Sequence, residues 1–468
     1  MFSTVLIANR GEIAVRIAQT CREMGIRSVG VYSTPDGDPR LIRHFDEAIH
    51  IGPAPARHSY RNIPAIIEAA LQTGSDAIHP GYGFLSEDPD FAEICADAGL
   101  AFIGPGPGQL ATLSDKSTTR ALMQRAGLPL LPGGVEPVAS AAQAAKLATE
   151  IGYPVIVKAV AGGGGKGMEA VTSPAELAGA FHRAGATARA VFGDGRLYLE
   201  RYLNPARHVE VQVLCDQHGN GIHLGTRDCS VQRRHQKLLE EGPAPGLSSA
   251  TAAAMGAAAV HAALAVGYSG AGTFEFLVGE DESYYFMEVN ARIQVEHPVT
   301  EAITGIDLIR EQILVAAGHQ LSLRQDDVAM RGVAVECRVN GEDPDRDFVP
   351  TAGPLVRFTP PGGPFTRVDT HAYPGYLVNP HYDSLIAKVI VWAPDRDQAL
   401  NRMDRALAEF EISGDGVKTT IPFLQRVIAD SEFRKAIHST TLVDRLRMAT
   451  EGTGHDRTAR RRHLDDPK

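Results

Sequence analysis

Paired cysteines, a bilayer-length apolar run and a surplus of basic charge are all missing from this sequence, and each absence removes a class of function. The 5 cysteines, Cys21, Cys95, Cys215, Cys229 and Cys337, are odd in number and scattered, without the close spacing of a zinc site or a disulfide framework. Reduced thiols follow, and Cys229, although it lies among polar residues discussed below, reads first as a small buried filler. There is no run of about 18 apolar residues to span a bilayer. Residues 1–10 pass straight into a strand pattern without the basic and apolar regions of a signal peptide. No membrane association and a cytoplasmic location are therefore expected. The formal net charge of -10 argues against a dedicated nucleic-acid binder, which must neutralise phosphates with a basic surface. No internal repeat is evident.

What is present describes a multidomain globular protein. At 468 residues, 44% hydrophobic and 22% charged, the chain exceeds what one core serves. Val5-Leu6-Ile7-Ala8 is a short apolar run that passes through Asn9-Arg10-Gly11 into a helical pattern of Ile13, Ile17, Cys21 and Met24. With residues 28–32 and 77–79 as further buried strands, this alternation predicts a parallel α/β sheet. The dinucleotide glycine fingerprint is absent after the first strand, so no NAD site is assigned. Gly104-Pro105-Gly106-Pro107-Gly108 breaks the chain, and a helical pattern resumes over 111–126. A strand, glycine loop, helix and strand occupy 129–203. A further strand-rich unit opens at 331–339 and continues through 382–392 into a helical pattern over 395–410. The tail from about Thr450, with Arg460-Arg461-Arg462, lacks apolar periodicity and reads as disordered.

The most informative stretch is Glu288-Val289-Asn290-Ala291-Arg292-Ile293-Gln294-Val295-Glu296. Strict period-two alternation predicts a strand that puts Glu288, Asn290, Arg292, Gln294 and Glu296 on one side and apolar residues on the other. A solvated strand face seldom combines two carboxylates, two amides and a guanidinium, so this side is read as functional. Upstream, Thr273-Phe274-Glu275-Phe276-Leu277 places one carboxylate in an apolar strand, where an unpaired charge is expensive. Two carboxylates about 4 Å apart repel by roughly 4 kcal/mol at an effective dielectric near 20, and a divalent cation removes that cost. Glu275 and Glu288 are accordingly candidate Mg²⁺ ligands, against the alternative of a salt bridge to a buried Arg.

Val155-Ile156-Val157-Lys158-Ala159 reads as a buried strand whose Lys158 precedes Gly162-Gly163-Gly164-Gly165-Lys166-Gly167, a loop where backbone amides can approach phosphate oxygens. A glycine run alone resembles a linker, but the flanking strands argue otherwise. It is not a Walker loop, because no Gly-Lys-Ser/Thr opens a helix. Asp228-Cys229-Ser230-Val231-Gln232-Arg233-Arg234-His235-Gln236-Lys237 is rich in donors for an oxyanion, and His208 follows Arg207; taken singly, His208 and Arg233 read first as parts of a solvated basic face, and taken with the neighbouring motifs they do not. Arg338 shares a strand face with Glu336, and a simple ion pair between them competes evenly with a functional role.

Together these residues resemble the ATP-grasp ligases, and among them the biotin carboxylases, from about Thr4 to Leu446. The most specific pieces are His79-Pro80-Gly81-Tyr82-Gly83-Phe84-Leu85-Ser86-Glu87, the Lys158 to Met168 loop, Arg227 to Lys237 and Glu288 to Pro298. The resemblance implies an α/β and α+β multidomain fold. Its parts are an N-terminal Rossmann-like pre-ATP-grasp domain over 1–113, an ATP-grasp domain over 114–330 with a mobile glycine-loop lid at about 131–203, and a C-terminal biotin carboxylase domain over 331–447. Residues 448–468 are expected, from their composition, to be a disordered tail. It further implies that Lys116, Lys158, His208, Gln232 and His235 contact ATP, that Glu200 and Leu203 border adenine, and that Gly163, Gly164, Gly165, Lys166 and Gly167 close over the phosphates. Glu275, Glu288 and Asn290 are implied metal ligands. Lys237, Arg292, Gln294 and Val295 are implied to hold bicarbonate, Val295 through its amide, while Glu296 is the base and Tyr82 and Arg338 meet biotin.

The implied activity is ATP-dependent carboxylation of biotin through carboxyphosphate, with Mg²⁺ or Mn²⁺, as the first half-reaction of an acetyl-CoA or propionyl-CoA type carboxylase. Lys166 and Ala291 stand where many relatives carry Arg and Thr. No Met-Lys-Met acceptor triplet occurs in the sequence, so biotin is expected to arrive on a separate biotin carboxyl carrier protein, with the carboxyltransferase on another chain and this chain a homodimer. The competing readings are a carboxylate-amine ligase of the same superfamily and a catalytically silent nucleotide-binding subunit.

Overall fold

The computed structural model describes residues 1–133, 136–160 and 167–449. Its N-terminal part contains Thr4–Ile7 (β1), Gly11–Glu23 (α1), Arg27–Ser33 (β2), Glu47–Gly52 (β3), Ala77–His79 (β4) and Ala101–Phe102 (β5). The five strands form a parallel sheet in the order β3-β2-β1-β4-β5. Val5, Leu6 and Ile7 are fully buried, as a central strand covered on both faces requires, which is why this stretch is continuously apolar. Helix α1 buries Ile13, Ile17 and Cys21 in the same core.

The strand order reverses between β1 and β4, the place where open α/β sheets leave a ligand crevice outside the C-terminal strand ends. Asn9 and Tyr82 sit in the two loops that emerge there. The Asn9 amide donates to the carbonyls of Pro80 and Tyr82, both at 2.7 Å. Gly81 makes this staple feasible: its φ is +62°, and a Cβ there would lie 2.9 Å from Asn9 Nδ2.

The expected helix over 111–126 is divided into Pro107–Ser114 and Lys116–Arg125. Asp115 interrupts it, because its extended backbone and its carboxylate, which accepts from the Thr118 amide, cap the second helix.

A small antiparallel sheet follows, made of Val155–Ala159 (β6), Met168–Val171 (β7) and Leu197–Arg201 (β8) in the order β7-β6-β8. Helices Ala141–Ile151 and Pro174–Phe192 complete its core around Val155, Val157, Leu177 and Leu199. Alternation in β6 buries Val155, Val157 and Ala159 and turns Ile156 and Lys158 the other way.

The largest sheet contains Arg207–Cys215 (β9), Gly221–Arg233 (β10), Gln236–Gly242 (β11), Gly270–Val278 (β12), Tyr284–Asn290 (β13) and Val333–Asn340 (β14), with strands Thr366–Thr370 and Leu385–Ala393. Its eight strands are antiparallel in the order β13-β12-β9-β10-β11-β14, then Leu385–Ala393, then Thr366–Thr370. Pairing of β11 with β14 carries the sheet across position 331, so the segments on either side share one scaffold. Phe274, Phe276 and Phe286 pack together at its β12–β13 edge, Phe276 edge to face on Phe286 and Phe274 tilted against it.

The strand expected over Glu288 to Glu296 ends at Asn290. Pairing of β13 with β12 stops at Asn290, the Ala291 amide donates instead to the Glu87 carboxylate at 2.9 Å, and Glu296 already stands at the N-cap of helix His297–Thr304, in whose first turn Pro298 lies. Residues 291–296 are therefore a loop. No helix among the described residues is long and apolar enough to cross a membrane.

Candidate active site

A cavity of about 1010 Å³ opens where the loops after β1 and β4, the exposed face of β6 and one side of the large sheet converge. Among the residues singled out in the sequence, Tyr82, Lys116, Lys158, Leu203, His208, Gln232, His235 and Lys237 line it, as do Glu275, Glu288, Asn290, Arg292, Gln294, Val295 and Arg338. Although the chain leaves strand geometry after Asn290, Arg292 and Gln294 still face this space. Glu200 and Glu296 are not in the described lining; they lie immediately behind Lys158 and Lys237. Gly167 flanks β7 outside the lining, and Gly163, Gly164, Gly165 and Lys166 fall outside the described residues, as does the tail from 450 onward. Residues 448 and 449 are helical rather than part of a disordered tail.

The apolar part of the lining comprises Leu131, Ile156, Met168, Leu203, Leu277 and Met287, side chains suited to a flat heterocycle. Lys158 lines the same cavity from β6. The buried Glu200 carboxylate holds the Lys158 ammonium at 2.6 Å and also binds the Arg120 guanidinium. Burial alone would neutralise both partners, but Glu200 keeps Lys158 charged, and Lys158 with Arg120 holds Glu200 below the usual carboxylate range. Lys116, at the start of its helix, approaches Glu288 at 3.5 Å.

Glu275 and Glu288 are register partners across β12 and β13, which brings the two carboxylates to one wall. Glu275 is buried, yet Lys237 and His208, each 3.0 Å away, keep it ionised well below the ordinary value. Glu288 is partly exposed. Paired carboxylates at a cavity wall, one already ionised by its neighbours, suit a hard divalent cation. The Asn290 oxygen accepts from Arg292 at 2.9 Å and its nitrogen donates to Glu275 at 2.9 Å, which places it beside the carboxylate wall between those two side chains.

Beyond this wall the polar groups form a continuous chain. The Lys237 ammonium lies 2.6 Å from Glu210, 3.0 Å from Glu275 and 2.6 Å from Glu296. Arg338 spans Glu240 at 2.6 Å and Glu296 at 2.8 Å. Glu296 is fully buried, which alone would raise its pKa, but Lys237, Arg338 and Arg227 push it well below the ordinary carboxylate value. The ion pairs of Arg338 are with Glu240 and Glu296 rather than with Glu336, whose two oxygens have no hydrogen-bond partner among the described residues. Arg292 is held by Glu87 at 3.0 Å and Gln294 at 3.0 Å. Cys229 is buried and its Sγ donates to Glu296 at 3.9 Å, and burial pushes its thiol up.

Lys237 and Gln232 reach the cavity from a tight hairpin. Its turn residues Arg234 and His235 adopt φ of 49° and 65°, a left-handed pair that glycine or asparagine would take more easily. Backbone strain retained beside a polar cavity points to positioning of the flanking strand ends. Sequence reasoning missed Glu87, Arg120, Glu210 and Glu240. Only Glu87 lay within a quoted motif, and spacing offers no signal for a partner 205 positions from Arg292.

Comparison with known proteins gives three consecutive family matches. Residues 1–110 match the family described as "Biotin carboxylase, N-terminal domain", residues 115–324 match "Carbamoyl-phosphate synthase L chain, ATP binding domain", and residues 336–445 match "Biotin carboxylase C-terminal domain". The biotin carboxylase of Nostoc sp. is 52% identical over 445 residues, covering 95% of this chain and 99% of that one. A crystal structure of a biotin carboxylase ATP complex from Campylobacter jejuni superposes with a TM-score of 0.92 at 46% identity, covering 95% of this chain and 99% of that one. The biotin carboxylase domain dimer of Hydrogenobacter thermophilus 2-oxoglutarate carboxylase, solved with MgADP, ADP and bicarbonate, gives a TM-score of 0.91 at 45% identity, covering 95% of this chain and 98% of that one.

Proposed function

The chain belongs to the biotin carboxylase family, and on that premise we propose that it uses ATP and bicarbonate to carboxylate biotin borne on a carrier. The observation that carries this reading is the junction of Lys237, Glu296 and Arg338 with the Arg292–Gln294–Val295 loop in one cavity, adjacent to the Glu275–Glu288 wall. An acid, three cationic groups and a carboxylate pair are what the deprotonation and phosphorylation of a small oxyanion demand.

In this reading the apolar part of the lining receives adenine, bordered by Glu200 and Leu203, and Lys116, Lys158, His208, Gln232 and His235 position the nucleotide. Glu275, Glu288 and Asn290 would hold Mg²⁺ or Mn²⁺, which would spread charge over the phosphates. Lys237, Arg292, Gln294 and the Val295 amide hold bicarbonate. Glu296 takes its proton. A carboxylate held so far below its ordinary pKa is a weak base, so the step depends on Lys237 and Arg292 stabilising carbonate as it forms. Carbonate attacks the γ-phosphate to give carboxyphosphate, which releases CO₂ and phosphate; phosphate deprotonates biotin, Arg338 stabilises the resulting enolate, and the enolate captures CO₂. Closure of the 131–203 segment over the site excludes water from the intermediate.

The family matches over 1–445 are all carboxylase or ATP-binding units, and we place the biotin carboxyl carrier protein and the carboxyltransferase on other chains, with this chain a cytoplasmic homodimer. ADP release measured with and without bicarbonate and free biotin tests the proposal. Stimulation by both is expected; release indifferent to bicarbonate would overturn it in favour of a ligase that activates another acid.

A further inference from the structure

Lys388 is a fully buried lysine on strand Leu385–Ala393, outside the cavity lining, and nothing in the mechanism above uses it. Three parts of the chain meet on its ammonium. The carbonyl of Val295 accepts a hydrogen bond from it at 2.8 Å. Glu12, on α1, lies 3.1 Å away, and the same carboxylate oxygen accepts the hydroxyl of Tyr82. Asp369, the register partner of Lys388 on the adjacent strand, stands at 3.8 Å and is itself held by Arg367 at 2.7 Å. On the other side Lys388 is in register with Arg338.

Val295 carries the peptide that joins it to Glu296. Pinning its carbonyl fixes that peptide, and with it the directions in which the Val295 backbone and the Glu296 side chain leave the loop. From the opposite side His297 donates through both its amide, at 3.3 Å, and its ring nitrogen Nδ1, at 2.7 Å, to the Gln294 carbonyl. The loop has no strand partner, so these contacts replace a sheet ladder. Tyr82 is oriented by the far end of the same arrangement through Glu12.

We propose that Lys388 is a positioning residue that couples the two ends of the reaction cavity: one buried ammonium sets the Val295–Glu296 peptide at the bicarbonate end and, through Glu12, the Tyr82 hydroxyl at the biotin end. This rests on the functional reading above. Lys388 touches neither substrate, and its role is to make the bicarbonate loop and the tyrosine move together.

Removing Lys388 alone would strand the Glu12 carboxylate without its cation, and that variant can fail to fold. The test therefore pairs Glu12→Gln with the double variant Lys388→Met/Glu12→Gln, which removes the buried charges together. KM for bicarbonate, KM for free biotin and ATP affinity are measured for each. The double variant is expected to raise the bicarbonate KM about tenfold, the loss typical of one charge-assisted hydrogen bond, with ATP affinity changed less than about twofold. Glu12→Gln keeps the bond to Val295, so it raises the biotin KM and leaves the bicarbonate KM within about twofold of the parent. A double variant with the parental bicarbonate KM, or one whose ATP affinity falls in step, overturns the coupling. Should the double variant not fold, Glu12→Gln decides alone, and an unchanged biotin KM overturns it. A parent without bicarbonate-dependent ATP cleavage sinks the functional reading itself, a distinct result from active variants that behave like the parent.

Discussion

Lys237 illustrates how single residues are set in this site. Three carboxylates surround its ammonium, and they keep it charged against a burial that would otherwise strip its proton. Glu296 is shared by that lysine and Arg338, so replacement by its neutral isostere removes the base while keeping the shape. Glu296→Gln is expected to lower bicarbonate-dependent ADP release by about 10²–10⁴-fold, with nucleotide affinity by calorimetry unchanged; parental turnover would contradict its role as base. Glu240 makes a second prediction. Burial, reinforced by Glu296 and opposed by Arg338, raises its carboxyl from 4.5 to about 7. A folded-state pKa above the unfolded one means that its stabilising contribution is complete below pH 4.5 and is lost as pH rises through about 7. The melting temperature of Glu240→Gln relative to the parent should therefore improve steadily between about pH 5 and about pH 8. A difference that stays flat across that window would refute the shift.

Loops and strand ends, rather than strand centres, bring the functional groups together. The Asn9 staple between the loops after β1 and β4 depends on the left-handed conformation and missing side chain of Gly81. Gly81→Ala is expected to cost roughly 1–3 kcal/mol, the range for a strained backbone, and to raise the KM for biotin through displaced Tyr82. Parental stability and KM would show that the loop adapts without the staple. Within the sheet, Phe276 is fully buried between Phe286 and Tyr284, and Phe276→Ala should destabilise by about 3–5 kcal/mol in chemical denaturation. Much at this scale was legible in the sequence. The alternation around Lys158 and the apolar flanks of Glu275 state which side of a strand each occupies, and both strands form as read. The alternation from Glu288 to Glu296 misled beyond Asn290, because period two records which residues are apolar and cannot register that the pairing of β13 with β12 stops there. The side chains still converge, held by Glu87 and by one another. Their partners, Glu87 for Arg292 and Lys388 for Val295, come from remote segments, 205 and 93 positions away, and only the folded topology brings them near.

Across the whole molecule, the N-terminal parallel sheet supplies the Tyr82 end of the cavity, the small sheet carries Lys158 over it, and the eight-stranded sheet carries the acids and cations between them. Because that sheet continues from β11 into β14 and on to Leu385–Ala393, Lys237, assigned to bicarbonate, and Arg338, assigned to biotin, stand on one scaffold. Their proximity suits the passage of a one-carbon unit from one to the other. The direct measurement is transfer of isotopic label from bicarbonate to biotin, followed together with ADP under excess ATP and Mg²⁺. The account predicts acid-labile label on biotin in proportion to ADP formed, and loss of both in Glu296→Gln. ADP formed with bicarbonate and biotin present, but with no label on biotin, would contradict it.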